Sequence, residues 1–260
     1  MLYYMDIFIS PLLKWYVEHG LKVTQIHQVV EYTSAACFQK FGDNISEDRR
    51  AGDADPEKKI VSETRKLDGS SSYGKTVTNK ERHTDVIHCQ EHQVSRYFID
   101  PSFRRCNQLS AKVFEVEMSK KTIRLDQPMQ IGCFVHQYAQ FRMLEFYYDS
   151  MDVLVDRSDF QYCAMDTDSA YMALSATSLE EVIKPDMQQQ KNWFQRTDTP
   201  DHATYDKRTP GLFKTEFNGD GMITLCRKTY FSFGAEDNFS CKGVNRKTTI
   251  SIKAGIWMFC

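Results

Sequence analysis

Residues 160–174 read Phe160-Gln161-Tyr162-Cys163-Ala164-Met165-Asp166-Thr167-Asp168-Ser169-Ala170-Tyr171-Met172-Ala173-Leu174. Two short runs rich in aromatic and apolar residues flank the polar turn 166–169, a pattern that predicts a β-hairpin. Carboxylates at i and i+2 of an extended chain project to one side, about 6–7 Å apart. Two such groups at a solvent-facing tip suit a hard divalent cation, Mg²⁺ above all, which takes one or two carboxylates together with substrate phosphates. The alternative is an ordinary turn whose aspartates accept from local backbone amides. An EF-hand is excluded, because no glycine and distal glutamate follow in register.

The chain upstream of the hairpin indicates what backs it. Residues 133–155, CFVHQYAQFRMLEFYYDSMDVLV, are apolar over most of a helical circumference, as expected of a helix buried against a sheet. Residues 11–32 predict a helix stopped at Gly20, followed by an extended run from Val23 to Tyr32. After the polar stretch 41–55, Asp55-Pro56 marks a helix start, and Ile60, Val61, Thr64 and Leu67 share one face of that helix. It is expected to break within Gly69–Gly74. Residues 80–128 predict short strands and loops, such as 112–118. Residues 176–192 are expected to be helical and 195–210 a loop. Residues 212–217 and 222–233 are expected to be strands joined by Asn218-Gly219-Asp220-Gly221. The fold class is mixed α+β.

With 260 residues, 33 aromatic side chains and a net charge of −2, the chain can bury a substantial core and is not of the disordered class. No stretch reaches the ~18–20 unbroken apolar residues of a membrane span, and the start, greasy but carrying Asp6 and Pro11 and no basic n-region, argues against a signal peptide. A soluble, intracellular protein with no membrane partner is expected. The eight cysteines are scattered singly, which fits reduced thiols better than a disulfide framework. The N-x-S sequons at Asn44 and Asn238 are then chance matches. His83, His88, Cys89 and His92 follow no zinc-ligand spacing. Charge is unevenly distributed: residues 49–82 hold nine Lys or Arg against six Asp or Glu, and residues 239–260 hold four bases and no acid. Two basic segments on a neutral chain fit a channel for a polyanion, or two ordinary solvated faces.

A second chemical feature is Lys66-Leu67-Asp68-Gly69-Ser70-Ser71-Ser72-Tyr73-Gly74-Lys75. A helix offering a lysine, small hydroxyl residues and then an aromatic beside glycine could hold a triphosphate and stack on a base. A plain helix end running into a Ser/Gly loop is the other reading. The P-loop spacing is absent.

Taken in order, these two segments resemble motifs B and C of family-B DNA polymerases, in particular the protein-primed branch of viruses, linear plasmids and Polinton-like elements. Lys66-Leu67 with Ser70, Tyr73 and Gly74 is similar to motif B, and Tyr162 followed by Asp166-Thr167-Asp168-Ser169 is similar to motif C. Arg227-Lys228-Thr229-Tyr230 resembles the KxY motif, and Ser240-Cys241-Lys242-Gly243-Val244 resembles the basic segment near the palm–thumb junction. The resemblance covers roughly residues 20–250. It implies template-directed nucleotidyl transfer with Mg²⁺ or Mn²⁺ as cofactor, and with primer–template DNA, dNTP and in some members a terminal-protein primer as partners. Asp168 would ligate metal and Asp166 tune the site. Lys66 and Ser70 would meet the triphosphate, and Tyr73 and Gly74 the nascent base pair. Lys228 and Tyr230 would hold the primer terminus, and Lys75 and Lys242 the DNA backbone. The same resemblance leaves the compartment open, nuclear or associated with an element or virus.

That resemblance divides the chain into an N-terminal palm remnant (1–48), a fingers helix with motif B (49–80), a strand-and-loop insertion (81–132), the palm with buried helix, motif C and KxY (133–235), and the start of a thumb (236–260). Ser70 replaces the family's asparagine and offers one hydrogen-bonding arm fewer. Asp68 puts a negative charge where the family has an apolar residue. The DxxSLYP run of motif A, whose aspartate is the other metal ligand, is absent from these residues, and so is the exonuclease. The chain is therefore expected to be the C-terminal palm and fingers portion of such an enzyme. A catalytically inactive, mobile-element-derived nucleic-acid-binding remnant is the alternative.

Overall fold

The computed structural model describes residues 6–187, 193–196, 198–226, 228–234 and 238–241. In chain order the elements begin with helices α1 (Ser10–Glu18), α2 (Gln39–Ala54) and α3 (Lys59–Gly74). Then come strand β1 (Thr84–Gln90), helix α4 (Glu91–Phe98), strands β2 (Phe103–Gln108) and β3 (Val113–Ser119), and helix α5 (Met129–Glu145). α5 continues through a π-helical stretch, Phe146–Met151, into α6 (Asp152–Leu154). The last elements are the strands β4 (Phe160–Asp166) and β5 (Ser169–Leu174), the helices α7 (Leu179–Val182) and α8 (Pro200–Asp206), and the strands β6 (Gly221–Cys226), β7 (Thr229–Phe233) and β8 (Asn238–Cys241). All named strand pairs are antiparallel, so the described chain is mixed α+β with three small sheets. It divides into two compact units: residues 1–65 with 136–260, and residues 66–135. No helix among the described residues is long and apolar enough to cross a membrane.

In the first unit, α1 ends as a Schellman motif. The Leu21 amide donates to the Tyr16 carbonyl and the Gly20 amide to Val17, with Gly20 at φ +97° where a side chain would be strained. Residues 21–36 form neither helix nor strand, because the β-branched run after Gly20 finds no ladder partner. The polar stretch after it is helical, and it packs through a small-residue contact. A Cβ placed on Gly52 would collide with the Cβ of Ser62 on α3. Arg65 clamps the same helix pair by donating to Asp48 at 2.6 Å. The apolar face foreseen for α3 does not drive this packing, since Ile60 and Leu67 are exposed and Ser62 is buried.

The core of this unit forms where the long helix meets the β4–β5 hairpin. Phe146, Met151, Leu154, Val155, Phe160, Val182 and Ile183 are buried together, with Ala170, Met172 and Leu174 of β5 packed against them. Three local expectations are corrected here. Residues 176–187 contain only the four-residue α7 and a 3₁₀ turn at Pro185–Met187, and 188–192 lie outside the described residues; Pro185 and the Val155–Ile183 bridge stop the helix. Residues 200–206 are a helix, begun by Thr199, whose side chain accepts from the His202 amide, with Pro200 at the first position. Residues 212–217 form no strand beyond a bridge from Phe213 to Phe194, and 222–233 fold back as the β6–β7 hairpin.

In the second unit the sheet order is β1-β3-β2, and α4 lies against it. Cys89, Val94, Val116 and Met118 make its core, which is why alternate residues of β3 are buried. The end of α3 joins this unit. Its helix does not break at Gly69, because the Ser70, Ser71 and Ser72 hydroxyls donate back to the carbonyls of Lys66, Leu67 and Gly69. The serines thus satisfy themselves inside the helix instead of opening a turn. Gly132 lies so close to Val77 and Thr76 that a Cβ there would overlap both, and its amide donates to Thr76 Oγ1 at 3.1 Å.

Candidate functional site

The β4–β5 hairpin closes on the pair Asp166↔Ser169, leaving Thr167 and Asp168 as the turn. Thr167 sits at φ +54°, a conformation that is costly for a β-branched residue. The chain therefore bends between the two carboxylates, and the same-side geometry of a continuous extended strand does not apply to them. The Asp168 amide donates to the Asp166 carbonyl at 2.6 Å, and Thr167 Oγ1 donates to Asp166 Oδ1 at 3.2 Å. Asp166 is half-buried. Asp168 is exposed and has no side-chain partner among the described residues.

The β6–β7 hairpin brings a second tip to the first. It closes at Cys226↔Thr229, and Lys228 in its turn also has a positive φ, +62°. The Lys228 ammonium lies 3.2 Å from Asp166 Oδ1, half exposed to solvent. One pairing step along, the ring of Tyr230 on β7 lies 4.8 Å from that of Tyr171 on β5, and the two hydroxyls are hydrogen-bonded. The Tyr171 phenol is pushed well above its ordinary value, first by burial, then by that hydrogen bond and by the nearby charge of Asp166. Tyr162 on β4 is pushed up to about 12 by burial and by Tyr147.

Four residues expected at a site from the sequence, Asp166, Asp168, Lys228 and Tyr230, thus come together within the first unit. Tyr171 joins them and was not foreseen. Its signal was present: it lies two residues beyond Ser169, the partner of Asp166, and so on the same face of the hairpin.

Lys66, Ser70, Tyr73 and Gly74 belong to the second unit. Their spacing on the uninterrupted α3 places all four on one helical face, within about 100° of arc. Lys66 and Ser70 are exposed, and Tyr73 and Gly74 half-buried. The Ser70 hydroxyl is engaged with the Lys66 carbonyl at 2.6 Å. Lys75 starts a 3₁₀ turn and is exposed. Lys242 lies outside the described residues.

Among the described residues no group of three or more His, Cys, Asp and Glu is close enough to hold a metal ion by itself. The first tip offers two carboxylates, a donor set that suits Mg²⁺ when phosphate or water oxygens complete the shell. Comparisons with protein-family models, with curated proteins and with solved structures gave no match.

Proposed function

We propose that this chain is the palm and fingers portion of a family-B DNA polymerase, carrying out template-directed nucleotidyl transfer. The observation that carries the reading is the meeting of two hairpin tips remote in sequence. Asp166-Thr167-Asp168-Ser169 and Lys228-Thr229-Tyr230 converge through the Lys228–Asp166 contact and the Tyr171–Tyr230 pair. A primer terminus must lie beside the metal-binding carboxylates, and these are the two segments to which the resemblance gives those tasks. On this reading Asp168 and Asp166 hold the divalent ion, which when bound stabilises charge on the attacking and leaving oxygens. Lys228 neutralises phosphate charge at the primer end, and Tyr230, fixed by Tyr171, sets the position of that end. Lys66 and Ser70 would contact the triphosphate from the shared face of α3, with Tyr73 and Gly74 against the base pair. Lys75 and Lys242 would follow the DNA backbone.

One observation favours the inactive nucleic-acid-binding remnant. Asp166 already has a lysine partner, which competes with a metal ion for the same oxygen. Extension of a labelled primer–template by dNTPs separates the two. Mg²⁺-dependent incorporation that is abolished by Asp168→Asn supports the catalytic reading. Salt-sensitive binding of primed DNA without incorporation selects the remnant. Absence of binding at about 50 mM salt overturns both.

A further inference from the structure

A second charged cluster in the first unit takes no part in the site above. We propose that Arg49 and Arg50 of α2, with Lys207 and Arg208 just after α8, form a binding site for a phosphate group. Two of these cations, Arg208 and Lys207, sit on one carboxylate, Asp53. Arg208 donates to it through two nitrogens, at 2.8 and 2.9 Å, and the Lys207 ammonium lies 3.6 Å away. Arg50 is held beside them, its Nε donating to the Lys207 carbonyl at 2.7 Å and its Nη2 to Thr209 Oγ1 at 3.2 Å. The neighbouring Asp48 is taken by Arg65, so it does not offset this charge.

Arg49 is the informative member. Its Nε is buried and has no hydrogen-bond partner among the described residues. An unsatisfied guanidinium N–H is costly to bury, so the unpaired charge of Arg49 favours an anion held nearby. Burial and the like charge of Arg208 hold the Arg49 pKa below its ordinary value, while Asp53 acts in the other direction. Three arginines and a lysine set against this one carboxylate leave a positive excess. Glu216 also acts on Arg208 and offsets part of this excess. Arg208 also keeps a positive φ, +62°, a strained backbone that holds its side chain on Asp53. Guanidinium forks of this kind match phosphate oxygens.

The phosphate could be a link in a nucleic-acid strand or a free monoester, and the test separates the two. Binding of fluorescein-labelled dT20 to the full chain is followed by anisotropy against salt, and binding of inorganic phosphate by calorimetry. Arg49→Gln, with an unchanged thermal melt, is expected to weaken the occupied ligand about 5–10-fold, and with dT20 to lower the salt slope by about 0.7. Asp53→Asn is expected to tighten the same ligand about 3-fold, the opposite of what loss of a purely structural carboxylate would do. Responses confined to dT20 assign a strand; responses confined to inorganic phosphate assign a monoester. If neither ligand responds to either substitution, the cluster is a structural network and the proposal is overturned. Asp168→Asn leaves these responses unchanged, so failure here is distinct from failure of the polymerase reading.

Discussion

Lys228→Met isolates the role of charge at the paired hairpin tips. The Lys228 ammonium is 3.2 Å from Asp166 Oδ1, so an ion held on that oxygen at ~2.1 Å stays within about 5 Å of the ammonium nitrogen. Repulsion between a divalent ion and one positive charge at ~5 Å is about 1.7 kcal/mol in a water-like dielectric. Screening at ~0.15 M salt reduces this to about 1 kcal/mol. Removing the lysine charge should therefore tighten Mn²⁺ binding about 5-fold. The fold should barely notice, because a half-exposed ion pair contributes only about 0–1 kcal/mol. Methionine has the same difficulty as lysine at a positive φ, so the backbone cost cancels between the two proteins. Mn²⁺ titration followed by electron paramagnetic resonance reads the affinity, urea unfolding reads the stability, and Asp168→Asn serves as the control that loses the ion. Unchanged or weaker Mn²⁺ binding in a normally folded Lys228→Met protein would refute the idea that this lysine competes with an ion at the tip.

Gly52→Ala forces a methyl group into the backbone-close Ser62 of α3, and overpacking of this kind should cost about 1–3 kcal/mol in urea unfolding; a loss below ~0.5 kcal/mol would mean that the two helices separate freely. Asp206 is buried and accepts from the Arg196 amide, Nε and Nη2, which together hold its carboxyl well below the usual range. Its folded pKa is depressed, so its stabilisation is present above the ordinary carboxylate value near pH 4 and is lost as pH falls through the folded value. Urea midpoints taken from pH 7 downward should therefore show a smaller acid-limb loss for Asp206→Asn than for the parent chain, from a lower starting stability. Tyr171→Phe removes a phenol raised by burial and by its bond to Tyr230; ultraviolet titration should lose a tyrosine ionising in the most alkaline limb, and loss of an ordinary step near pH 10 would contradict the packing described.

What could be read beforehand follows from how local each signal is. The β4–β5 hairpin was legible because alternation and a polar tip are both contained within fifteen residues, 160–174. The long helix was legible for the same reason, but the burial expected all round it is not met, since Val135, Tyr138 and Tyr148 stay exposed. Its π-helical stretch at Phe146–Met151 was not, because nothing in a 3.6-residue period announces an extra residue per turn. Glycine and serine were read as punctuation at 69–74, yet hydroxyl-to-carbonyl bonds keep that segment helical. The same bias hides α8, whose start signal Thr199-Pro200 lies in a proline-bearing stretch that suggests a loop. The β6–β7 turn was missed because its positive φ falls on lysine, not on glycine. At the site, Asp166, Asp168, Lys228 and Tyr230 could be named from their order in the chain. Tyr171 needed the strand register, and the Arg49–Arg208 cluster needed the tertiary fold that joins α2 to the segment after α8.

The strained tips give two chemically identical side chains different surroundings. Asp166 ends a strand, so its backbone is fixed by the ladder, and its carboxylate is engaged from two directions by Thr167 and Lys228. Asp168 lies one peptide past the bend, exposed and without a side-chain partner among the described residues. A carboxylate with no competing cation has the higher affinity for a divalent ion, whereas a lysine-paired one is better placed to orient its neighbours and to release the lysine when phosphate arrives. The positive φ at Thr167 separates them, at a cost of about 1–2 kcal/mol, and a second positive φ at Lys228 directs its ammonium to one carboxylate only. Backbone strain at both meeting tips thus gives the two carboxylates different surroundings, Asp166 beside Lys228 and Asp168 exposed.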